Sequence, residues 1–396
     1  MRGLYTFGIR TYAFGAKLAA CFGNAKAKLW VEGRKKPIVQ TEDNQPWVWF
    51  HAASLGEFEQ GRPVIEALKQ QYPNLKVSLS FFSPSGYEVR KDYALADEVL
   101  YLPIDTMKNA RMWVDRHRFV AAFFIKYEFW FNYMKALADK GIPLYYISLI
   151  LKPDQYFFKW YGGWFRKQLH NVTHFYVQDE TTLNLLNDFG NVTLCGDTRF
   201  DRVAAIARNA KRFPEIEEFI NGQKCIIAGS TWPPDEKLLI PYLERLPDDY
   251  CMIIAPHDIS EKHIQQIREA LRQVPSDKVY LIDTVGILSQ LYQYARFAYI
   301  GGGFGVNIHN IQEPVTFDCP VVFGPKYKSF KEAVDLVSLK GAFTINSQTE
   351  LDQTFDRLIH DEALYQKASE TCRDYLNSQL GATEIILKEI TSTFSF

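Results

Sequence analysis

The chain carries almost no net charge, no closely spaced cysteines and no unbroken apolar run, and each lack removes a class of protein. A formal net charge of −1 gives no global attraction to nucleic acid. Spanning a bilayer as a helix takes about 20 consecutive apolar residues, and Arg10 and Lys17 interrupt the apolar N-terminus. A secretory signal is not expected either, because no small-residue cleavage site follows a clean apolar core. The six cysteines, Cys21, Cys195, Cys225, Cys251, Cys319 and Cys372, form no CxxC pair and have no histidine at zinc-ligand spacing. They read as buried thiols of a reducing compartment. Neither GxGxxG nor GxxxxGK followed by Ser or Thr occurs, which disfavours a dehydrogenase-type dinucleotide fold and a P-loop NTPase. No acidic pair stands at magnesium-binding spacing, so neither metal nor cofactor is expected. Internal repeats and low-complexity tracts are missing too.

What the chain has is length and rhythm. Its 396 residues, 47% of them hydrophobic, suffice for two cores. β-Branched and aromatic runs at 47–51, 76–82, 98–103, 119–125, 143–149, 174–177 and 192–195 alternate with helical patterns such as 58–70 and 85–93. A polar, weakly patterned stretch at 201–222, containing Pro214, reads as a domain joint. The rhythm restarts with runs at 225–228, 251–255, 279–282, 297–300, 321–323 and 342–345, separated by helical patterns at 235–245, 261–273 and 285–294. Such alternation predicts an α/β fold, with parallel sheets covered by helices on both faces. Two doubly wound, Rossmann-like domains are expected, at 37–205 and 206–396, facing each other across a cleft. Residues 1–36 stand apart. They hold Arg2, Arg10, Lys17, Lys26, Lys28, Arg34, Lys35 and Lys36 against Glu32 alone, interleaved with Leu4, Tyr5, Phe7, Ile9, Tyr12, Phe14, Leu18 and Phe22. This predicts a basic amphipathic segment resting on an anionic membrane surface. A helix packing its apolar face onto its own domain fits the same pattern.

Ligands of open parallel sheets sit beyond the carboxyl ends of the strands, so the residues at those ends should carry the chemistry. Residues 300–325, IGGGFGVNIHNIQEPVTFDCPVVFGP, join a strand end, a glycine cluster and a polar turn. Gly301, Gly302, Gly303 and Gly305 would let backbone N–H groups approach a phosphate, and a purely structural turn is the competing reading. His309, Asn310, Gln312 and Glu313 follow at an expected helix start. Gly229-Ser230-Thr231 precedes another expected helix start at Pro234-Asp235-Glu236, and Pro256-His257-Asp258 and Thr284-Val285-Gly286-Ile287 end two more strands. In the first half, His51-Ala-Ala-Ser54-Leu-Gly56-Glu57 places Glu57 in the first turn of a helix, as a general base or as a partner of the helix dipole. Lys126 and Glu128 follow the strand at 119–125, as an ion pair or as a contact to a substrate carboxylate or hydroxyl.

Taken in order, HAASLGE, KYEFW, GSTW, IAPH, DTVG and HNIQEP with PVVFGP resemble the 3-deoxy-D-manno-octulosonic acid (Kdo) transferase family of Gram-negative bacteria, from about residue 45 to near 340. The resemblance implies a two-domain GT-B glycosyltransferase of lipopolysaccharide biosynthesis, peripheral or monotopic at the cytoplasmic face of the inner membrane. It implies a lipid A precursor as acceptor on the N-terminal domain and CMP-Kdo as donor on the C-terminal one. By the same resemblance Glu57 is the catalytic base, with Ser54, Gly56, Lys126 and Glu128 lining the cleft. The implied donor contacts are Ser230, Thr231, Pro256, His257, Val285, Gly286, Ile287, Asn310, Ile311, Gln312 and Glu313.

The chain departs from the family pattern at several of these positions. Pro256-His257-Asp258-Ile259 stands where the family commonly has Pro-Arg-His-Pro, which replaces a permanent guanidinium by an imidazole. Asn310-Ile311-Gln312-Glu313 stands for Asn-Pro-Leu-Glu, and Trp232 replaces the histidine of GSTH. Ser148-Leu149-Ile150-Leu151 lacks the arginine of the usual Asn-Ala-Arg segment. The expected reaction is a metal-independent, inverting single displacement. Two other readings remain: a sugar-nucleotide epimerase on the same scaffold, and a non-catalytic module that binds a sugar nucleotide or lipid head group.

Overall fold

A computed structural model describes residues 1–35 and 44–391, so the expected boundary at residues 36 and 37 lies outside the described residues. The chain divides into two compact units, one of residues 1–201 together with the final segment from Gly381, the other Arg202–Leu380. The strands of the first unit are β1 (Trp47–Ala52), β2 (Lys76–Phe81), β3 (Glu98–Tyr101), β4 (Phe119–Ile125), β5 (Leu144–Leu149), β6 (His174–Val177) and β7 (Val192–Leu194). They pair in the order β3-β2-β1-β4-β5-β6-β7, all parallel. The second unit holds β8 (Lys224–Thr231), β9 (Tyr250–Pro256), β10 (Val279–Leu281), β11 (Ala295–Ile300), β12 (Val321–Phe323) and β13 (Ala342–Thr344). Their order is β10-β9-β8-β11-β12-β13, again all parallel.

Parallel strands need crossover helices, which bury both faces of the sheet. Accordingly β1, β5 and β9 are buried at every position, and the first sheet has separate cores on its two faces, around Trp49 and Phe124 on one and Phe50 and Phe123 on the other. In each unit the strand order reverses once, between β1 and β4 and between β8 and β11. Connections leave in opposite directions there and open a crevice at the carboxyl edge.

Three features differ from the sequence reading. The stretch 201–222 is largely helical, within Thr198–Arg208 and Pro214–Ile220. The closing helix Ala382–Thr391, expected within 206–396, packs on the first unit. Ala382, Ile386 and Ile390 enter the core beside Val64 and Leu68, and the Asp201 carboxylate accepts from the Gly381 and Thr383 N–H groups. The two isoleucines contribute on the order of 3–6 kcal/mol by burial. Finally, Cys21 is exposed, whereas the other five cysteines are buried as expected.

The N-terminal helices Arg2–Cys21 and Ala25–Gly33 pack part of their surface onto their own domain, as one of the two readings of their pattern expects. One face is held by the domain: the Tyr5 hydroxyl donates to Asp105 Oδ2 at 2.6 Å, and Arg2 donates to Gln168 Oε1 at 2.6 Å. Arg34 lies 3.9 Å from the Trp30 ring centroid and donates to the Leu102 and Phe82 carbonyls, and burial lowers its pKa to about 9. The opposite face is bare. Leu4, Phe7, Phe14, Leu18 and Phe22 recur at spacings that share one helical arc, with Phe7 68%, Phe14 62% and Phe22 87% exposed. No helix among the described residues is long and apolar enough to cross a membrane.

Candidate active site

At the crevice of the first unit, β1 runs into Ser54, which caps the helix Leu55–Gln71. Its hydroxyl donates to Glu57 Oε2, so the carboxylate is held half-buried in the first helical turn, where the dipole favours negative charge. Gly56, beside it, is exposed. From β4 the chain enters Lys126 with φ of 65°, a left-handed backbone that costs a non-glycine residue about 1–3 kcal/mol and turns its side chain out of the strand line. Burial raises the Tyr127 phenol, and the nearby Glu57 and Asp179 charges add to that rise, which brings the two motifs together.

Glu128 has partners the sequence did not reveal. Trp130 Nε1–H donates to Glu128 Oε2 at 2.8 Å, and Nε2 of the fully buried His51 lies 3.1 Å from the same oxygen. His51 Nδ1 meets Ser80 Oγ at 2.8 Å, and Ser80 Oγ also accepts from Trp49 Nε1 at 2.7 Å. A carboxylate held by an indole and an imidazole is an arrangement that the sequence did not suggest.

In the second unit Ser230 is half-buried with φ of 52°, at the point where the β8–β9 register shifts. The next residue departs from expectation: Thr231 is fully buried, and its hydroxyl donates to Glu236 Oε1, which also meets His263. The helix Pro233–Tyr242 opens on two prolines, which have no N–H, and the Trp232 N–H is taken by Asp235. Free N–H groups for a phosphate are therefore not offered at this turn. The glycine cluster is likewise structural in part. Gly301 N–H bonds Gly229 O, Gly302 N–H bonds Asp235 Oδ2 and Gly305 N–H bonds Gly302 O. Burial raises the Asp235 carboxyl even though Tyr299, Gly302 and Trp232 all donate to it.

The side chains that do gather at this edge are aromatic. Trp232, His257 and His309 form one stack, with ring centroids 4.8 Å apart for Trp232 and His257 and 4.3 Å apart for His257 and His309. Trp232 Nε1–H donates to His309 Nε2 at 2.9 Å, so that nitrogen is unprotonated and the His309 proton sits on Nδ1. Burial, reinforced by His257, lowers the His309 pKa to about 4. Among the other donor candidates, Val285, Gly286 and Asn310 are exposed, and Ile287 and Glu313 are half-buried. Pro256, Ile311 and Gln312 are buried, which leaves them backbone contacts at most. The expected helix start at 312 is a single turn, Gln312–Val315, whose first N–H is taken by Asn310 Oδ1. Among the described residues no three His, Cys, Asp or Glu side chains gather as metal ligands.

The depressed His309 pKa has a measurable consequence. An imidazole at 6.5 unfolded and about 4 folded favours the fold fully above 6.5, and that contribution is lost as pH falls towards 4. His309 should show no NMR titration between pH 5 and 8. Acidification should destabilise the second unit less in His309→Gln than in the unmodified chain.

Residues 25–202 match the family model described as 3-deoxy-D-manno-octulosonic-acid transferase (kdotransferase). Along the chain, the 3-deoxy-D-manno-octulosonic acid transferase of Rickettsia bellii is 25% identical over 80% of this chain and 80% of its own length. The enzymes of the same name from Aquifex aeolicus and Chlamydia trachomatis are 24% and 23% identical, over 77% and 91% of this chain and 83% and 89% of theirs. In fold, the chain resembles a UDP-GlcNAc 2-epimerase from Neisseria meningitidis, with a TM-score of 0.63 and 16% identity over 88% of this chain and all of that one. Acinetobacter baumannii MurG gives 0.55 and 14% identity, over 88% and 99%. The architecture is thus the GT-B arrangement of two parallel-sheet domains. With this fold, these relatives and this matched domain, the chain is similar along most of its length to 3-deoxy-D-manno-octulosonic acid transferases, and residues 25–202 carry the matched kdotransferase domain, which supports a glycosyltransferase.

Proposed function

We propose that this chain transfers Kdo from CMP-Kdo to the lipid A precursor, with inversion, at the cytoplasmic face of the bacterial inner membrane. One observation carries the reading: each sheet has at its crevice the chemistry that one half of the reaction needs. The first unit offers Glu57, a half-buried carboxylate held by Ser54, and the second offers the Ser230 hydroxyl and the His257 and His309 imidazoles. In the reaction Glu57 takes the proton of the attacking sugar hydroxyl while the bond from Kdo C2 to the phosphate oxygen of CMP breaks. Ser230, His257 and the Nδ1–H of His309 meet the charge that develops on the leaving phosphate. Lys126 offsets the carboxylate of Kdo. Because His309 stays neutral, it donates without changing the charge of the site over the physiological range. The exposed apolar face of Arg2–Cys21, flanked by Arg10 and Lys17, supports peripheral binding to an anionic leaflet.

The test is CMP release from freshly generated CMP-Kdo, with and without a tetra-acylated lipid A precursor in anionic vesicles, followed by mass spectrometry of the lipid. Acceptor-dependent release with one or more Kdo mass increments is expected. Isomerised sugar nucleotide without lipid modification would shift the assignment to an epimerase. Donor binding that gives no turnover would shift it to a binding module.

A further inference from the structure

Between the two N-terminal helices and the exit of β2 lies a groove of about 580 Å³, within the range of roughly 300–1,000 Å³ typical of small-ligand sites. Its floor is small, with Gly15, Ala16 and Ala19 from one helix, and its inner wall is aromatic, with Trp30 and Phe82. Lys26 stands at its exposed rim. At about 100° per residue, Gly15 and Ala19 sit on the flank of the arc that bears Phe14, Leu18 and Phe22, so the groove continues the bare apolar face into the domain. Its inner end meets the site. Phe82 lies 5.8 Å from Trp30 and stacks at 4.8 Å on Trp130, whose indole N–H holds Glu128.

We infer that this groove is an acyl-chain subsite, which seats one chain of a phosphorylated glycolipid while its head group lies at the strand exits that carry Glu128 and Glu57. The occupant follows from three features together. The lining is apolar and narrow-floored, as a flexible hydrocarbon requires. The rim cation suits a phosphate next to the chain. The outer end opens on the face that would rest on a leaflet, while the inner end touches the residue that stacks on Trp130. The inference rests on the proposed lipid acceptor for its enzymatic consequence, but not for the binding itself.

Gly15 supplies the test. Nothing lies within 4 Å of the position its Cβ would take, so Gly15→Leu adds a side chain to the groove without a clash, on a helix that leucine favours. Gly8, equally open and on the same helix but outside the groove, gives the control Gly8→Leu. The unmodified chain should use the acylated acceptor at least tenfold more efficiently than the same head group deacylated. Gly15→Leu should lose most of that preference and keep its rate on the deacylated acceptor and its binding to phosphatidylglycerol vesicles, while Gly8→Leu keeps all three. Equal preference in both variants and the unmodified chain overturns the inference. A fatty acid bearing a terminal diazirine, photolysed in phosphatidylglycerol vesicles, reads the groove without turnover. Adducts on Ala19, Phe82 or Pro84 that Gly15→Leu suppresses support it, even if no sugar is transferred and the proposed reaction fails. Adducts confined to Phe14, Leu18 and Phe22 overturn it.

Discussion

Glu57→Gln is expected to lower kcat by about 10²–10⁴-fold, the usual contribution of a positioned general base, while the affinity for CMP stays within about twofold. The geometry makes this a clean substitution. The amide oxygen of glutamine can still accept from the Ser54 hydroxyl, and the residue stays in the first turn of Leu55–Gln71, so the Ser54 contact is preserved. What is lost is the ability to take a proton. Single-turnover transfer measured beside CMP binding by calorimetry separates the two effects. A parallel loss of affinity would mean that the crevice had collapsed. Turnover at the unmodified rate would remove Glu57 as base and point to Glu128, the other carboxylate at that edge. Its bonds to Trp130 and His51 make a structural role the more natural one, so Glu128→Gln should reduce stability as well as rate.

How far the sequence could be read depends on the range of the interaction. All thirteen strands among the described residues are legible, because runs such as 119–125 and 251–255 combine apolar continuity with β-branched or aromatic side chains, and alternating helical patterns force a parallel sheet. The strand exits followed from the same logic. What stayed hidden were partnerships between distant residues. His51 with Glu128, and Trp232 with His309, are each separated by 77 positions, and no periodicity encodes such a pair. Thr231 looked like a ligand hydroxyl because a Ser-Thr turn before a helix start usually offers one. Burial against Glu236 turns it inward instead. The closing helix shows the same limit at larger scale. Ala382, Ile386 and Ile390 recur every four residues and announce a buried face, but the pattern does not say which sheet covers it.

The glycine cluster shows how residues that read alike in sequence should separate sharply on substitution. A Cβ at Gly301 would stand 2.2 Å from Ser230 O and 2.6 Å from Thr231 Cα, both main-chain atoms that no rotamer change can move. β8 and β11 would have to part at the switch point, where Gly301 N–H bonds Gly229 O. Overpacking commonly costs about 1–3 kcal/mol, and with backbone on both sides Gly301→Ala should cost about 3 kcal/mol or more. At Gly305 the nearest atom to a new Cβ is Gly302 O at 3.4 Å, and Gly305→Ala should cost less than about 1 kcal/mol. Trp232 is the one tryptophan between residues 202 and 380. The fluorine resonance of 5-fluorotryptophan at that position therefore reports the denaturant midpoint of the second unit and the state of the imidazole stack together. Gly301→Ala should lower that midpoint, shift the Trp232 resonance and weaken CMP binding by tenfold or more, because Ser230 loses the backbone that sets its left-handed turn. Gly305→Ala should leave all three close to the unmodified chain. Equal tolerance at both positions would mean that the close approach of β8 and β11 is dispensable, and that the cluster serves a ligand rather than the packing of the crevice.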